Sequence, residues 1–201
     1  MELFHKKVLG EQGFLDSPLS QYEHLKQLGK GAFGTVSLYK HRNSGLQVAI
    51  KKVEKAKMDS LPAENGKVLS ELEMSETITG FGQNNLVQTV ETFEDALNYM
   101  IVTEFLPGGD LINYLCRKYS SSVPEEDAKQ VIRHVATGLQ ALHACGIVHR
   151  DVKPDNILVG KSEQGLNFKL GDYGIASFLD PLTATSTLPI GTEGYISPEI
   201  A

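Results

Sequence analysis

The chain has 201 residues, of which 41% are hydrophobic and 22% charged, and it carries a formal net charge of −6. This composition is ordinary for a globular protein and too apolar for a disordered one, and the acidic balance gives no support to nucleic-acid binding driven by bulk charge. No apolar run approaches the ~18 residues of a membrane span, the N-terminus lacks a signal-peptide core, and Cys116 and Cys145 read as reduced thiols. The expectation is therefore a cytoplasmic protein, with the nucleus also open, and neither membrane nor nucleic acid as a partner.

Residues 1–21 carry turn formers (Gly10, Gly13, Ser17, Pro18) and read as a leader. Segments 22–30, 35–41 and 46–53 are rich in Val, Ile, Leu and Tyr and are separated by glycine-bearing turns, which predicts an antiparallel meander. A helix is expected over 62–79, with Ser60 as cap and Pro62 in the first turn. Strand-like runs at 86–94 and 98–105 end at Pro107-Gly108-Gly109, read as a hinge between two halves, 22–106 and 107–201. Across 124–145, Ala128, Val131, Ile132, Val135, Leu139 and Leu142 recur at helical steps, predicting one amphipathic helix closed by Gly146. A β-rich lobe, then a helical lobe, with a cleft between them, is the expected architecture.

Five clusters carry chemistry. In Leu28-Gly29-Lys30-Gly31-Ala32-Phe33-Gly34-Thr35-Val36, glycines let the backbone approach a polyphosphate. A dinucleotide-binding turn would need a helix directly afterwards, whereas Thr35 to Tyr39 reads as strand. In Val48-Ala49-Ile50-Lys51, strand alternation puts Ala49 and Lys51 on one face, a small residue beside a cation. His149-Arg150-Asp151-Val152-Lys153-Pro154-Asp155-Asn156 offers an acceptor for a hydroxyl proton, a metal ligand and a phosphate-binding cation. Asp172-Tyr173-Gly174 follows a strand and places a carboxylate for Mg²⁺, and Gly191 to Glu199 ends in Ser197-Pro198-Glu199.

From about Tyr22 to the end, the order and spacing of these motifs resemble the eukaryotic protein kinase family, of serine/threonine type. Kinase-like small-molecule phosphotransferases are the nearest rival, but they usually lack the H-R-D-x-K-P sequence and the closing S-P-E. The resemblance implies an α+β, bilobal protein-kinase-like fold with a β-rich N-lobe and a helical C-lobe. It implies ATP and Mg²⁺ as cofactors and a protein with a Ser or Thr acceptor as partner.

By the same resemblance, Gly29, Gly31 and Gly34 cover the ATP phosphates, and Leu28, Val36, Ala49 and Leu158 meet the adenine side of the nucleotide. Lys51 binds the α- and β-phosphates and is held by Glu71, preferred over Glu73 and Glu76 because Leu72, Met74 and Ile78 then follow the family's buried face. Glu104 and Leu106 form the adenine-reading hinge, with Thr103 as gatekeeper. Asp110 meets the ribose or a basic substrate residue, a helix N-cap being the equal alternative. Asp151 accepts the substrate hydroxyl proton, Lys153 steadies the γ-phosphate, and Asp172 and Asn156 hold metal.

Lys153-Pro154 and Thr192 resemble serine/threonine rather than tyrosine kinases. Arg150 implies control by a phosphate on the following loop, at Thr187 in preference to Thr183, Thr185 or Ser186, against the alternative of a polar loop with no such site. Asp110 and Asp155 together suggest attraction of an upstream Arg in the substrate. His134 and His143 are expected to be partly packed, His149 an anchor of the catalytic loop, and Cys145 a small core residue. Tyr173 replaces the family's usual Phe and needs a partner for its hydroxyl when packed. Ser197 replaces the usual Ala, and the chain stops where the family continues with further helices. An incomplete C-lobe, and with it a non-catalytic nucleotide- or partner-binding module, is the second reading.

Overall fold

The computed structural model describes residues 17–31, 34–56, 74–75, 77–78, 82–163, 165–178 and 191–198. The chain divides into two compact units: one from residues 1–68 and 89–105, the other from 69–88 and 106–201. Residues 69–88, which the sequence reading groups with the first half, cluster with the second unit.

The first unit is a five-stranded antiparallel sheet of β1 (Tyr22–Lys30), β2 (Thr35–His41), β3 (Gln47–Glu54), β4 (Thr89–Glu94) and β5 (Asn98–Glu104), in the order β1-β2-β3-β5-β4. Its turns follow from their residues. Gly45, at φ 72°, closes the β2–β3 connection, with its N–H on the His41 carbonyl at 2.8 Å. Asp95 turns β4 into β5 by accepting from the amides of Leu97 and Asn98 at 2.8 and 2.7 Å. One face of the sheet buries Tyr39, Val48, Ile50, Met100 and Val102 with Tyr22 and Phe93. Completely burying side chains such as Ile50 and Met100 contributes about 1.5–3 kcal/mol each.

In the second unit, helix α1 (Leu111–Lys118) precedes helix α2 (Glu125–Ala144). They are followed by β6 (Ile147–Val148), β7 (Ile157–Ser162), β8 (Gly165–Leu170) and β9 (Ser177–Phe178). The sequence points to α1 only through the alternative of Asp110 as a helix N-cap, and gives it no bounds. Three carboxylates in the first turn of α2 favour its start, and Gly146, at φ 69°, ends it with its N–H on the His143 carbonyl. The buried face of α2 is Val131, Val135, Gly138 and Leu142, at steps of four, three and four. Ile132, assigned to that face from the sequence, is 67% exposed, because one residue on from Val131 is a rotation of about 100° away from the core.

The run expected as one strand over 86–94 divides in two. Residues 89–94 join the five-stranded sheet, while Leu86 bridges Leu170 in parallel. Leu170 donates to the Asn85 carbonyl and accepts from the Val87 amide, both at 2.9 Å. Asn85 secures the junction with its side-chain amide on the Phe168 carbonyl and the Asn167 side chain. A Cβ at Gly138 would stand 2.8 Å from the Asn85 carbonyl oxygen, so this close approach requires glycine inside α2. Pro107-Gly108-Gly109, read as a hinge, is partly strand-paired: Gly108 donates to Val159 at 2.9 Å and Val159 to Gly109 at 2.8 Å. Met74 and Ile78, helical and wholly buried, join the core of this unit with Leu86, Leu142, Leu170 and Tyr173. Among the described residues, no helix is long and apolar enough to cross a membrane.

Candidate active site

Strand register positions the first set of residues. Lys51 stands opposite Val36 of β2 and Ile101 of β5, and Ala49 stands opposite Leu38 and Thr103. Directly opposed residues and alternate residues along a strand share a face. Lys51, Ala49, Val36 and Thr103 therefore lie together on the side away from the aromatic core, each half-buried. The Thr103 hydroxyl reaches the Ala49 carbonyl at 3.4 Å.

The glycine loop leaves β1 where the register shifts between Gln27 and Gly29, and Leu28 at that irregularity is 42% exposed. The three glycines are not equivalent. A Cβ on Gly34 would lie 2.0 Å from the Lys52 carbonyl oxygen, so the sheet itself excludes a side chain there. On Gly29 or Gly31 it would meet no described atom within 4 Å. Packing against the described residues does not demand glycine at those two positions.

In the second unit, side-chain hydrogen bonds assemble the rest. Asp151 accepts from the Thr192 hydroxyl at 2.6 Å on one oxygen, and from Lys153 and the Asn156 side-chain amide, each at 2.9 Å, on the other. Lys153 also donates to the Thr192 hydroxyl at 2.6 Å. Burial pushes the Asp151 carboxyl up, but the bonds from Thr192, Lys153 and Asn156 outweigh it and hold the group below the usual carboxylate range. Asn156 spends its amide hydrogens on the Asp151 carbonyl, at 2.8 Å, and on its carboxylate. Its Oδ1 is thereby left as the acceptor end. The Gly171 amide donates to the Asn156 carbonyl at 2.9 Å, which brings the turn carrying Asp172 alongside.

His149 links these pieces. Its Nδ1 accepts from the Asp151 amide at 3.2 Å, so the proton belongs on Nε2, which donates to the Gly171 carbonyl at 3.0 Å. Burial pushes the imidazole's pKa down, in keeping with this neutral form, and the ring is the anchor expected of it. Arg150 and Asp172 flank the network with left-handed backbones, φ 64° and 59°. The Arg150 Nε donates to the Ile175 carbonyl at 2.6 Å. Gly191 stands before Thr192, and a Cβ there would press on Ile196 and on the Arg150 carbonyl oxygen at 2.9 and 3.1 Å.

Asp172 and Asn156 each carry a hard oxygen donor, the kind that suits Mg²⁺. Among the described residues, no group of three or more His, Cys, Asp and Glu could hold a metal by itself. Such a pair fits an ion that takes its remaining ligands from phosphates and water, as Mg²⁺ does.

Other expected residues take humbler places. Asp110 is the N-cap of α1, accepting from the Asn113 amide at 2.8 Å and from its side chain at 2.6 Å. Both carboxylate oxygens take part in the cap. Leu158, half-buried, bridges Asp110. The Leu106 side chain packs over Gly160, where a Cβ would stand 2.5 Å from it, so any binding part of Leu106 rests with its backbone. Glu104 pairs with Val48, across the sheet from the Lys51 face. His134 packs against Phe168 and accepts from its amide, while His143 is exposed rather than partly packed. Cys145 packs on the core, and both cysteines are free. Glu71, Glu73, Glu76, Thr183, Thr185, Ser186, Thr187 and Glu199 lie outside the described residues. The sequence marks Thr192 only as a feature of the serine/threonine type, and its two hydrogen bonds, to Asp151 and from Lys153, were not foreseen.

Comparison with known proteins agrees with this geometry. The protein kinase domain profile matches residues 22–201. The chain is 36% identical over 87% of its length to the serine/threonine-protein kinase ATG1a of Arabidopsis thaliana, covering 26% of that protein. It is 32% identical over 94% of its length to the serine/threonine-protein kinase cds1 of Schizosaccharomyces pombe, covering 40% of it. With the calcium-dependent protein kinase 12 of Arabidopsis thaliana it shares 31% identity over 86% of its length and 34% of that protein's. The chain thus spans between about a quarter and two-fifths of the length of these three relatives. With a kinase-domain match across nearly its whole length and a loop network built from the H-R-D-x-K-x-x-N residues, the chain belongs to the protein kinase family, in its serine/threonine branch.

Proposed function

We propose that this chain transfers the γ-phosphate of ATP to serine and threonine hydroxyls of protein substrates. The observation that carries this reading is the Thr192 hydroxyl, which donates to the Asp151 carboxylate and accepts from Lys153, both at 2.6 Å. An aliphatic hydroxyl oriented by a carboxylate, with an ammonium beside its oxygen, is the arrangement that transfer to Ser or Thr requires.

In this reading Asp151 orients the acceptor hydroxyl and receives its proton, and Lys153 neutralises charge on the transferred group. Lys51, steadied by Glu71, grips the α- and β-phosphates. The backbone at Gly29, Gly31 and Gly34 covers them. Val36, Ala49, Leu158 and Leu28 enclose the base, with Thr103 behind it and Glu104 and Leu106 reading its edge. Asp172 and Asn156 would hold Mg²⁺, which when bound would offset the charge of the phosphates. Asp110 acts by capping α1. The free cysteines support a cytoplasmic or nuclear setting.

The test is Mg²⁺-dependent phosphate transfer from ATP to a generic basic protein, with the chain and its Asp172→Asn variant assayed side by side and both melted. Transfer reduced about 10²-fold or more in a variant that melts like the parent is the expected result. A folded parent that binds ATP and transfers nothing would replace this reading with that of a binding module.

A further inference from the structure

Asp172 occupies a backbone conformation that a residue with a Cβ disfavours, at φ 59°. The turn around it is tied at several points. Gly171 donates to the Asn156 carbonyl and accepts from His149. The Leu170 carbonyl takes two donors, the Val87 amide at 2.9 Å and the Tyr173 hydroxyl at 2.9 Å. The second of these reaches back across Asp172 and closes the turn over it. The Tyr173 ring is 5% exposed and sits edge-on to His149 at 5.7 Å, so its hydroxyl is held in the interior. The Val87 carbonyl, 3.4 Å away, is a second and longer acceptor. A phenylalanine would fill the same space without making the bond. It would leave no orphan, since Leu170 keeps the Val87 amide.

We propose that the Tyr173 hydroxyl is a positioning group for Asp172, closing the 170–173 turn so that the carboxylate is presented to Mg²⁺ without reorganisation. The inference rests on the phosphotransfer reading and concerns metal affinity rather than the chemical step. A group that merely stabilised the fold would shift a melt. One that positions Asp172 shifts the Mg²⁺ dependence of nucleotide binding and does so only while Asp172 is present.

The experiment compares the chain with Tyr173→Phe by amide hydrogen exchange and by Mg²⁺ titration of binding to a non-hydrolysable ATP analogue, with both repeated on an Asp172→Ala background. Exchange at Val87, Gly171 and Ala176 should quicken about fivefold, the equivalent of about 1 kcal/mol, while Val135 and Leu139 in α2 stay unchanged. The half-saturating Mg²⁺ concentration should rise about fivefold, with Mg²⁺-free affinity unmoved. In the Asp172→Ala background the hydroxyl should have no further effect on Mg²⁺. Unchanged exchange would overturn the tie. Faster exchange with an unmoved Mg²⁺ midpoint would overturn the positioning role. A parent chain that binds no analogue at any Mg²⁺ concentration would overturn the phosphotransfer reading and this inference with it, and the parent alone would show it.

Discussion

Lys51 and Asp151 are held in place by different physics. Lys51 sits on a strand paired on both sides, so its direction follows from register, and a slip would have to move Val48 and Ile50 out of the core as well. Asp151 sits in a loop whose neighbours Arg150 and Asp172 have left-handed backbones, and side-chain bonds from Thr192, Lys153 and Asn156, with its own amide on the His149 ring, hold it. The first arrangement is backed by hydrophobic burial spread over many residues. The second depends on a few directional bonds, each worth about 1 kcal/mol. Substitutions of the buried side chains behind Lys51 should therefore act through stability, and substitutions in the loop network through chemistry.

The largest effect that would break this contrast is at Asp151. Asp151→Asn keeps the size of the side chain and removes the charge that orients the hydroxyl. Phosphate transfer should fall about 10²–10⁴-fold, with nucleotide affinity and melting temperature little changed. A melt that collapsed along with activity would show that the loop network also carries the fold.

The glycine loop sharpens the contrast within one segment. Gly34→Ala must displace the Lys52 carbonyl, 2.0 Å from the new Cβ, and should cost about 1–3 kcal/mol by denaturant unfolding. Gly31→Ala has open space and should leave stability within about 0.5 kcal/mol while weakening ATP binding. Equal stability losses in both would remove the argument that Gly31 answers to a ligand.

The smallest expected effect is at His134. Burial, helped by the charge of Arg133, lowers its pKa, and its Nδ1 accepts from the Phe168 amide. With the folded value below the unfolded value of about 6.5, the unfolded chain binds the proton first. Stability is then fully present above about pH 6.5 and declines as pH falls below it. His134→Gln should flatten part of that slope in melts between pH 7.5 and 5.5, the remainder belonging to groups such as the buried His149. A slope identical in the variant would remove His134 from the account.

Much of this was legible in the residues. Strands at 22–30 and 35–41 follow from alternation and glycine turns, and α2 from apolar steps of three and four ended by Gly146. The hydroxyl partner demanded by Tyr173 is there, on Leu170. What failed failed for tertiary reasons. The 86–94 run divides because Asn85 to Val87 find partners in β8, some eighty residues on in the chain. Ile132 fits a helical period and still faces outward, since periodicity fixes a face only to within one residue's rotation. Asp110 has the composition of a ligand, and only the Asn113 bonds show that it also stands as a cap.

By itself, the sequence determined the family and the chemical types of the site, because glycines, a strand lysine, and the aspartates and asparagine at fixed spacings are local signatures of what each residue can do. The tertiary structure decided which of them touch. Thr192 bonds to Asp151 across forty-one residues and Tyr173 approaches Val87 across eighty-six. Nothing local encodes such pairings, since a hydrogen bond depends on distance and direction in space and not on separation along the chain.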